Sequence, residues 1–219
     1  MSVLEKVKEL REVTGAGMQD CKNALKENNN DIDKSVEYLR KKGVLKASKK
    51  SSRDAAEGLI IIGENENNFT LTEINTETDF VAKNNEFIEF CSKVSEVSLN
   101  ANSLDELQNQ KLNDSTIQES IVNLISKIGE NIKLRRFENI NKDGKKISYY
   151  IHNKSSDLTG KIVAVVKYNS SKVESKNLSN NVCMHVAAMS PMSLDEKSLD
   201  KNFLESEKKI IEEQLSKEG

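Results

Sequence analysis

Histidine, proline and tryptophan are nearly missing from this 219-residue chain: two histidines, one proline and no tryptophan. His152 and His185 stand alone, in no spacing typical of a metal site or a nucleophilic triad, so hydrolytic and metal-assisted chemistry start with little support. The cysteines Cys21, Cys91 and Cys183 are odd in number and far apart, without the close pairing of a zinc site, and read as small buried residues. No stretch approaches the roughly 20 apolar residues that cross a bilayer. The opening residues, MSVLEKVKEL, are amphipathic and charged where a signal peptide would be apolar, which places the chain in the cytosol with no membrane partner. There is neither a G-x-x-x-x-G-K-[ST] nor a G-x-G-x-x-G loop, so any nucleotide that matters is held by a partner. An excess of positive charge is also lacking: 33 basic against 35 acidic residues give a net charge of -2, not the field of a dedicated nucleic-acid binder. Carboxylates are plentiful but form no recognisable catalytic arrangement. An enzyme, a bound metal and a cofactor are therefore not expected.

What is present is hydrophobic periodicity. Val3, Leu4, Val7 and Leu10 recur at helical spacing and stop at the turn Thr14–Gly17. Met18, Cys21, Ala24 and Leu25 make a second helix ending at Asn28–Asn30, and Asp31 can cap a third that carries Ile32, Val36 and Leu39, with Gly43 as its stop. Three short helices in residues 1–45 resemble a ubiquitin-associated-like docking bundle. Residues 46–56 read as a basic linker: from Arg40 to Arg53 there are seven basic residues and no acidic ones.

Residues 57–138 then read as a core subdomain. Gly58–Gly63 and Phe69–Asn75 flank a polar spacer suited to a hairpin; Phe87, Phe90, Cys91, Val94 and Val97 mark one helix, Ile117 to Ile128 another, and Ile132–Glu138 a strand. Strands and helices come in runs, so the class is α+β, with an antiparallel sheet and covering helices. Residues 139–192 read as the first part of a second core subdomain: strands Ile147–Ile151 and Lys161–Tyr168 around the connection His152–Gly160, then a helix through Leu178, Val182, His185, Val186 and Met189, closed by Pro191. Residues 193–219 carry Phe203, Leu204, Ile210, Ile211 and Leu215 on a charged helix that wants a partner, as the first arm of a hairpin.

The most informative segment is Thr76–Asn85, TETDFVAKNN, between a strand and an amphipathic helix. Thr78 or Asp79 can cap the following helix. Phe80 can fold inward as a hydrophobic staple or project as an anchor for a partner's pocket; pattern alone favours the staple. TDFVAKN, Thr78 to Asn84, resembles the most specific motif of the elongation factor Ts family. LREVTGAGMQDCKNAL at Leu10–Leu25, KIGENI at Lys127–Ile132 followed by Arg135 and Arg136, and MHVAAMSP at Met184–Pro191 are similar to three further segments of that family, in the same order.

The resemblance implies a guanine-nucleotide exchange factor that binds GDP-loaded elongation factor Tu, then its nucleotide-free form, and does no covalent chemistry itself. In that family the Asp-Phe pair enters the partner near its magnesium site. Asp79 and Phe80 become the expected exchange wedge, with Thr78, Val81, Lys83 and Asn84 beside them, and Phe80 turns outward. Arg11, Met18 and Lys22 match docking positions; Gln19 stands where relatives can carry a second methionine. His185 is a further contact position, although a lone histidine on an apolar helix side is more often packed. Members of the family often continue past the point that corresponds to Gly219, so a C-terminally truncated form is expected, with an exposed strand edge open to self-association. Two other classes stay open: an RNA-binding translation protein using Arg40–Arg53 and Arg135/Arg136, and a docking adaptor indifferent to nucleotide.

Overall fold

A computed structural model describes residues 2–218. The chain opens with α1 (Val3–Thr14), where Ser2 Oγ accepts from Glu5 N at 3.3 Å and Glu5 returns a carboxylate to Ser2 N at 2.6 Å, satisfying two donors that a helix start leaves orphaned. Gly15, at φ 65°, ends it in the left-handed conformation. Then come α2 (Met18–Glu27) and α3 (Ile32–Lys50), the latter capped by Asp31, whose Oδ1 accepts from Lys34 N at 3.0 Å. The three helices close on Val7, Leu10, Cys21, Ala24, Leu25 and Leu39.

Gly43 does not stop α3. It lies inside the helix, where a Cβ would come within 3.0 Å of Ser126 Oγ, so its missing side chain lets α3 approach a later helix closely. The basic stretch from Arg40 is accordingly helical as far as Lys50.

The remainder runs β1 (Glu57–Glu64), β2 (Asn68–Thr76), α4 (Asp79–Ala82), α5 (Asn85–Ser98), α6 (Leu104–Asn109), β3 (Lys111–Leu112), β4 (Ser115–Thr116), α7 (Ile117–Ile128), β5 (Ile132–Asn141), β6 (Lys146–Ser156), β7 (Thr159–Tyr168), α8 (Val173–Met189), a single 3-10 turn at Glu196–Ser198, and α9 (Lys201–Glu218). The architecture is α+β. Five strands form one antiparallel sheet in the order β5-β2-β1-β7-β6.

One face of β1, β2 and β5 presents Leu59, Ile61, Ile74, Ile132 and Leu134, and α5 and α7 bring Phe87, Cys91, Val94, Ile117, Ile121 and Ile125 down onto it. Burial at roughly 25 cal/mol per Å2 of apolar surface makes this the main stabilising mass of the chain. Ile62, Phe69 and Ile151 form a smaller cluster on another face, where the rings of Phe69 and Tyr149 lie 5.4 Å apart. The two hairpins join through few pairs: β1 and β7 pair at Ile60–Gly160 and Ile61–Thr159, with Ile62 N donating to Leu158 O at 2.8 Å and Lys161 paired with Glu57 beside them.

Two sequence expectations shift here. The connection expected at His152–Gly160 is mostly strand, since β6 runs on to Ser156 and β7 starts at Thr159, with an irregularity between Lys154 and Ser156. Its residues His152, Asn153 and Lys154 are exposed, so no hydrophobic alternation announced it. The final helix begins at Lys201, after Asp200 caps it by accepting from Asn202 N at 2.9 Å and Phe203 N at 3.1 Å.

Candidate functional site

The corner after β2 is built from the backbone outward. Thr76 Oγ1 donates to Thr78 O at 2.9 Å, and Thr78 is the N-cap of the four-residue α4, its Oγ1 accepting from Val81 N at 3.5 Å. Asn84 repeats the device one turn later, accepting from Glu86 N at 2.9 Å and Phe87 N at 3.4 Å to start α5. Successive helical residues point about 100° apart, so one turn cannot send three consecutive side chains inward. Val81 and Ala82 take the inward positions, 7% and 0% exposed. Phe80 is left 81% exposed, pointing away from the core.

The staple expected of Phe80 from pattern alone is therefore not formed. A phenyl ring held out in water on a well-anchored turn presents apolar area that a partner gains by covering.

Asp79 and Lys83 sit on one side of this turn, Lys83 Nζ to Asp79 Oδ2 at 2.7 Å. The lysine's hydrogen bond holds the Asp79 carboxyl below its ordinary range, and Asp79 in turn raises the ammonium of Lys83. The site thus presents an ionised carboxylate next to an exposed aromatic.

Sequence reading missed the group that braces this corner. Glu130 Oε2 accepts from Thr78 N at 3.0 Å and its Oε1 from Thr78 Oγ1 at 2.7 Å. Beside it, Glu77 Oε1 accepts from Asn131 N at 2.6 Å and from Arg53 at 3.5 Å, while Asn131 Nδ2 donates to Arg53 O at 2.8 Å. Lys50 Nζ donates to Gly129 O. The only sequence signal was the KIGENI segment itself, whose Glu130 follows a helix-ending glycine at φ 94°.

The other expected contact residues lie elsewhere. Arg11, Met18 and Lys22 are exposed at the end of α1 and on α2, Met18 at 57%. Gln19 is turned to Asn23, its Nε2 donating to Oδ1 at 3.0 Å. Between them Asp20 is drawn the other way, tying α2 to α3 through Lys42 at 2.9 Å and Lys46 at 2.8 Å; those two bonds hold its carboxyl low. His185 is exposed on α8, where Val182, Val186 and Met189 share its face. The packed inward position on that helix belongs to Cys183, whose Sγ donates to Ser148 O at 3.4 Å.

Five of the seven basic residues of the stretch form ion pairs within the molecule. Arg40 pairs with Glu119, Lys41 with Glu37, Lys42 and Lys46 with Asp20, and Arg53 with Glu77. Arg135 and Arg136 both close on Glu73. Among the described residues no cluster of three metal-ligating side chains occurs, and no helix is long and apolar enough to cross a membrane.

Comparison with known proteins decides the family. A family model described as Elongation factor TS matches residues 77–219. The chain is 42% identical over 224 residues to elongation factor Ts of Clostridium perfringens strain 13, an alignment covering all of this chain and 73% of that protein. The chain belongs to the elongation factor Ts family. Elongation factor Ts of Roseobacter denitrificans is 40% identical over 204 residues, covering 93% of this chain and 68% of the relative; that of Paracoccus denitrificans is 38% identical over 214 residues, covering 97% and 72%. As an elongation factor Ts, the chain is a translation elongation factor by family, and the TDFVAKN corner lies inside the matched region.

Proposed function

We propose that this chain is a guanine-nucleotide exchange factor that binds elongation factor Tu carrying GDP in the cytoplasm and speeds GDP release, with no covalent chemistry of its own. The observation that carries this reading is Phe80, 81% exposed on a turn whose next two residues are buried. A G protein retains GDP through backbone donors around the phosphates and a magnesium ion that offsets their charge. A rigidly mounted ring that enters beside that site displaces partner side chains and with them the ligands of the metal, and Asp79 enters next to it. Weakening the metal weakens the nucleotide. Thr78 and Asn84 shape the turn, Val81 anchors it, and Lys83 orients Asp79 through their 2.7 Å ion pair.

Arg11, Met18 and Lys22 supply a docking surface on the bundle, and His185 with its apolar neighbours a second surface on α8. The internal pairing of the basic stretch supports a protein partner over RNA, since phosphate binding draws on unneutralised lysine and arginine. Coupling is reciprocal: a factor that loosens GDP is itself loosened by GDP, by a typical 1 to 3 kcal/mol, so incoming nucleotide can release it.

The test is release of a fluorescent GDP analogue from elongation factor Tu in magnesium. The chain accelerates release, and Phe80→Ala removes most of that acceleration while leaving the thermal midpoint within a few degrees, because the ring contributes little to the fold. Equal acceleration by Phe80→Ala would overturn the wedge.

A further inference from the structure

The four-residue helix that presents Phe80 cannot hold its own direction, since helices this short have no independent stability. Val81 and Ala82 fix its depth, and Thr76 Oγ1 holds the Thr78 carbonyl at 2.9 Å. From a distant part of the chain, the carboxylate of Glu130 holds the N–H and hydroxyl of the same residue. We propose that Glu130 is a positioning residue for exchange: by bracketing Thr78 through both backbone N–H and hydroxyl, it fixes the direction in which Phe80 leaves the surface. The inference rests on the exchange reading above.

A single hydrogen bond would leave rotation about its own axis. Two acceptor oxygens receiving two donors of one residue, at 3.0 and 2.7 Å, remove it. The bracket comes from a turn that is itself secured. Gly129 closes α7 at φ 94°, which turns the chain back toward the end of β2. Asn131 then bonds both to Glu77, the neighbour of Thr78, and to the carbonyl of Arg53 just past α3. Lys50, the last residue of α3, holds the Gly129 carbonyl. The turn 129–131 is thus bonded on one side to the corner that carries the wedge and on the other to the end of the helix that carries the docking bundle. In enzymes a misplacement of about 1 Å can cost about a hundredfold in rate, and by the same reasoning a group that only orients the wedge matters to exchange.

Substitution separates orientation from contact. In Glu130→Ala both bonds vanish and the Thr78 N–H loses its acceptor. In Glu130→Gln the amide oxygen still accepts from the N–H and the amide nitrogen donates to the hydroxyl oxygen, so the bracket survives. Two measurements on the full chain test this: the rate of fluorescent GDP release from elongation factor Tu as the chain is titrated, and amide hydrogen exchange of residues 78–83 in the chain alone. Glu130→Ala should lower the saturating rate about tenfold with the half-saturating concentration within about twofold, and speed exchange of the Thr78 and Val81 amides. Glu130→Gln should restore both.

Glu130→Ala matching the parent chain in rate and amide exchange, while Phe80→Ala loses acceleration, would remove Glu130 and leave the wedge standing. An effect confined to the half-saturating concentration would make Glu130 a contact and overturn positioning. Full acceleration by Phe80→Ala would remove the wedge and this inference with it. If Glu130→Ala fails to fold, Thr78→Val deletes the hydroxyl arm together with the 3.5 Å cap to Val81 N and should give an intermediate loss of saturating rate; a parent-like rate there overturns the bracket.

Discussion

The two hairpins of the sheet are finished differently. Under α5 and α7, the β1–β2–β5 side is sealed: Ile61, Ile74, Phe87 and Val94 have no exposed surface, and Gly63 is needed because a Cβ there would sit 2.4 Å from Thr70 Oγ1 and 2.6 Å from Ser98 Oγ. Over the β6–β7 side, the 17 residues of α8 bury only Ser179 and Cys183, while Leu178, Val182, Met184, Val186 and Met189 stay exposed. Each side carries a segment characteristic of elongation factor Ts. In the exchange reading proposed above, the sealed side offers one ring on a stiff mount to push with, and the open side offers area to hold with.

Damage to the mount should be the most destructive change. Phe87→Ala empties a fully buried aromatic site directly after the Asn84 cap and should cost about 3 to 5 kcal/mol in urea unfolding. A loss below about 1 kcal/mol would mean that this side is not the stabilising mass. The seam between the sides comes next. At Gly160 an added Cβ would meet Ile151 Cγ2 at 2.3 Å and His152 O at 2.9 Å, so Gly160→Ala should cost about 1 to 3 kcal/mol and loosen the β6–β7 hairpin first, read by amide exchange on β7. Uniform exchange across all five strands would show one cooperative sheet and erase the distinction. On the open face, Val182→Ser and Val186→Ser should move stability by no more than about 0.5 kcal/mol, yet weaken the complex with elongation factor Tu measurably in a pull-down or titration. A stability loss without a binding loss would make α8 a packed helix after all.

These contrasts show where sequence suffices. Periodicity placed the core helices and the first hairpin because their apolar residues repeat with the period of the element, and the cap at Asp31 follows from a side chain that accepts from a nearby N–H group. What stayed hidden depends on partners far along the chain. Glu130 and Thr78 are 52 positions apart, and a lone glutamate after a glycine carries no mark of its partner. Gly43 reads as a stop until Ser126 is seen against it. The outward Phe80 was legible only through family resemblance, because spacing alone cannot decide which residue of a short turn loses the competition for the core.

The gentlest probe of the comparison uses three thiols that happen to lie one in each region: Cys21 in the bundle, Cys91 on the sealed side, Cys183 on the inward face of α8. All three are buried, and burial pushes each thiol above its ordinary value. Only the thiolate alkylates, so each must be uncovered before it reacts, and the rate reports how often its surroundings open. The sign with pH is fixed: alkylation should rise as pH increases toward the ordinary thiol value near 8.5, because an opened thiol then ionises. In native buffer Cys183 should react at least about tenfold faster than Cys91, since α8 can lift from two strands without unsealing the main cluster, whereas Cys91 waits for the loss of α5. Urea at the unfolding midpoint should bring the two rates together. Equal native rates would mean that α8 opens only when the whole chain does, and the open side would then be as firmly closed as the other.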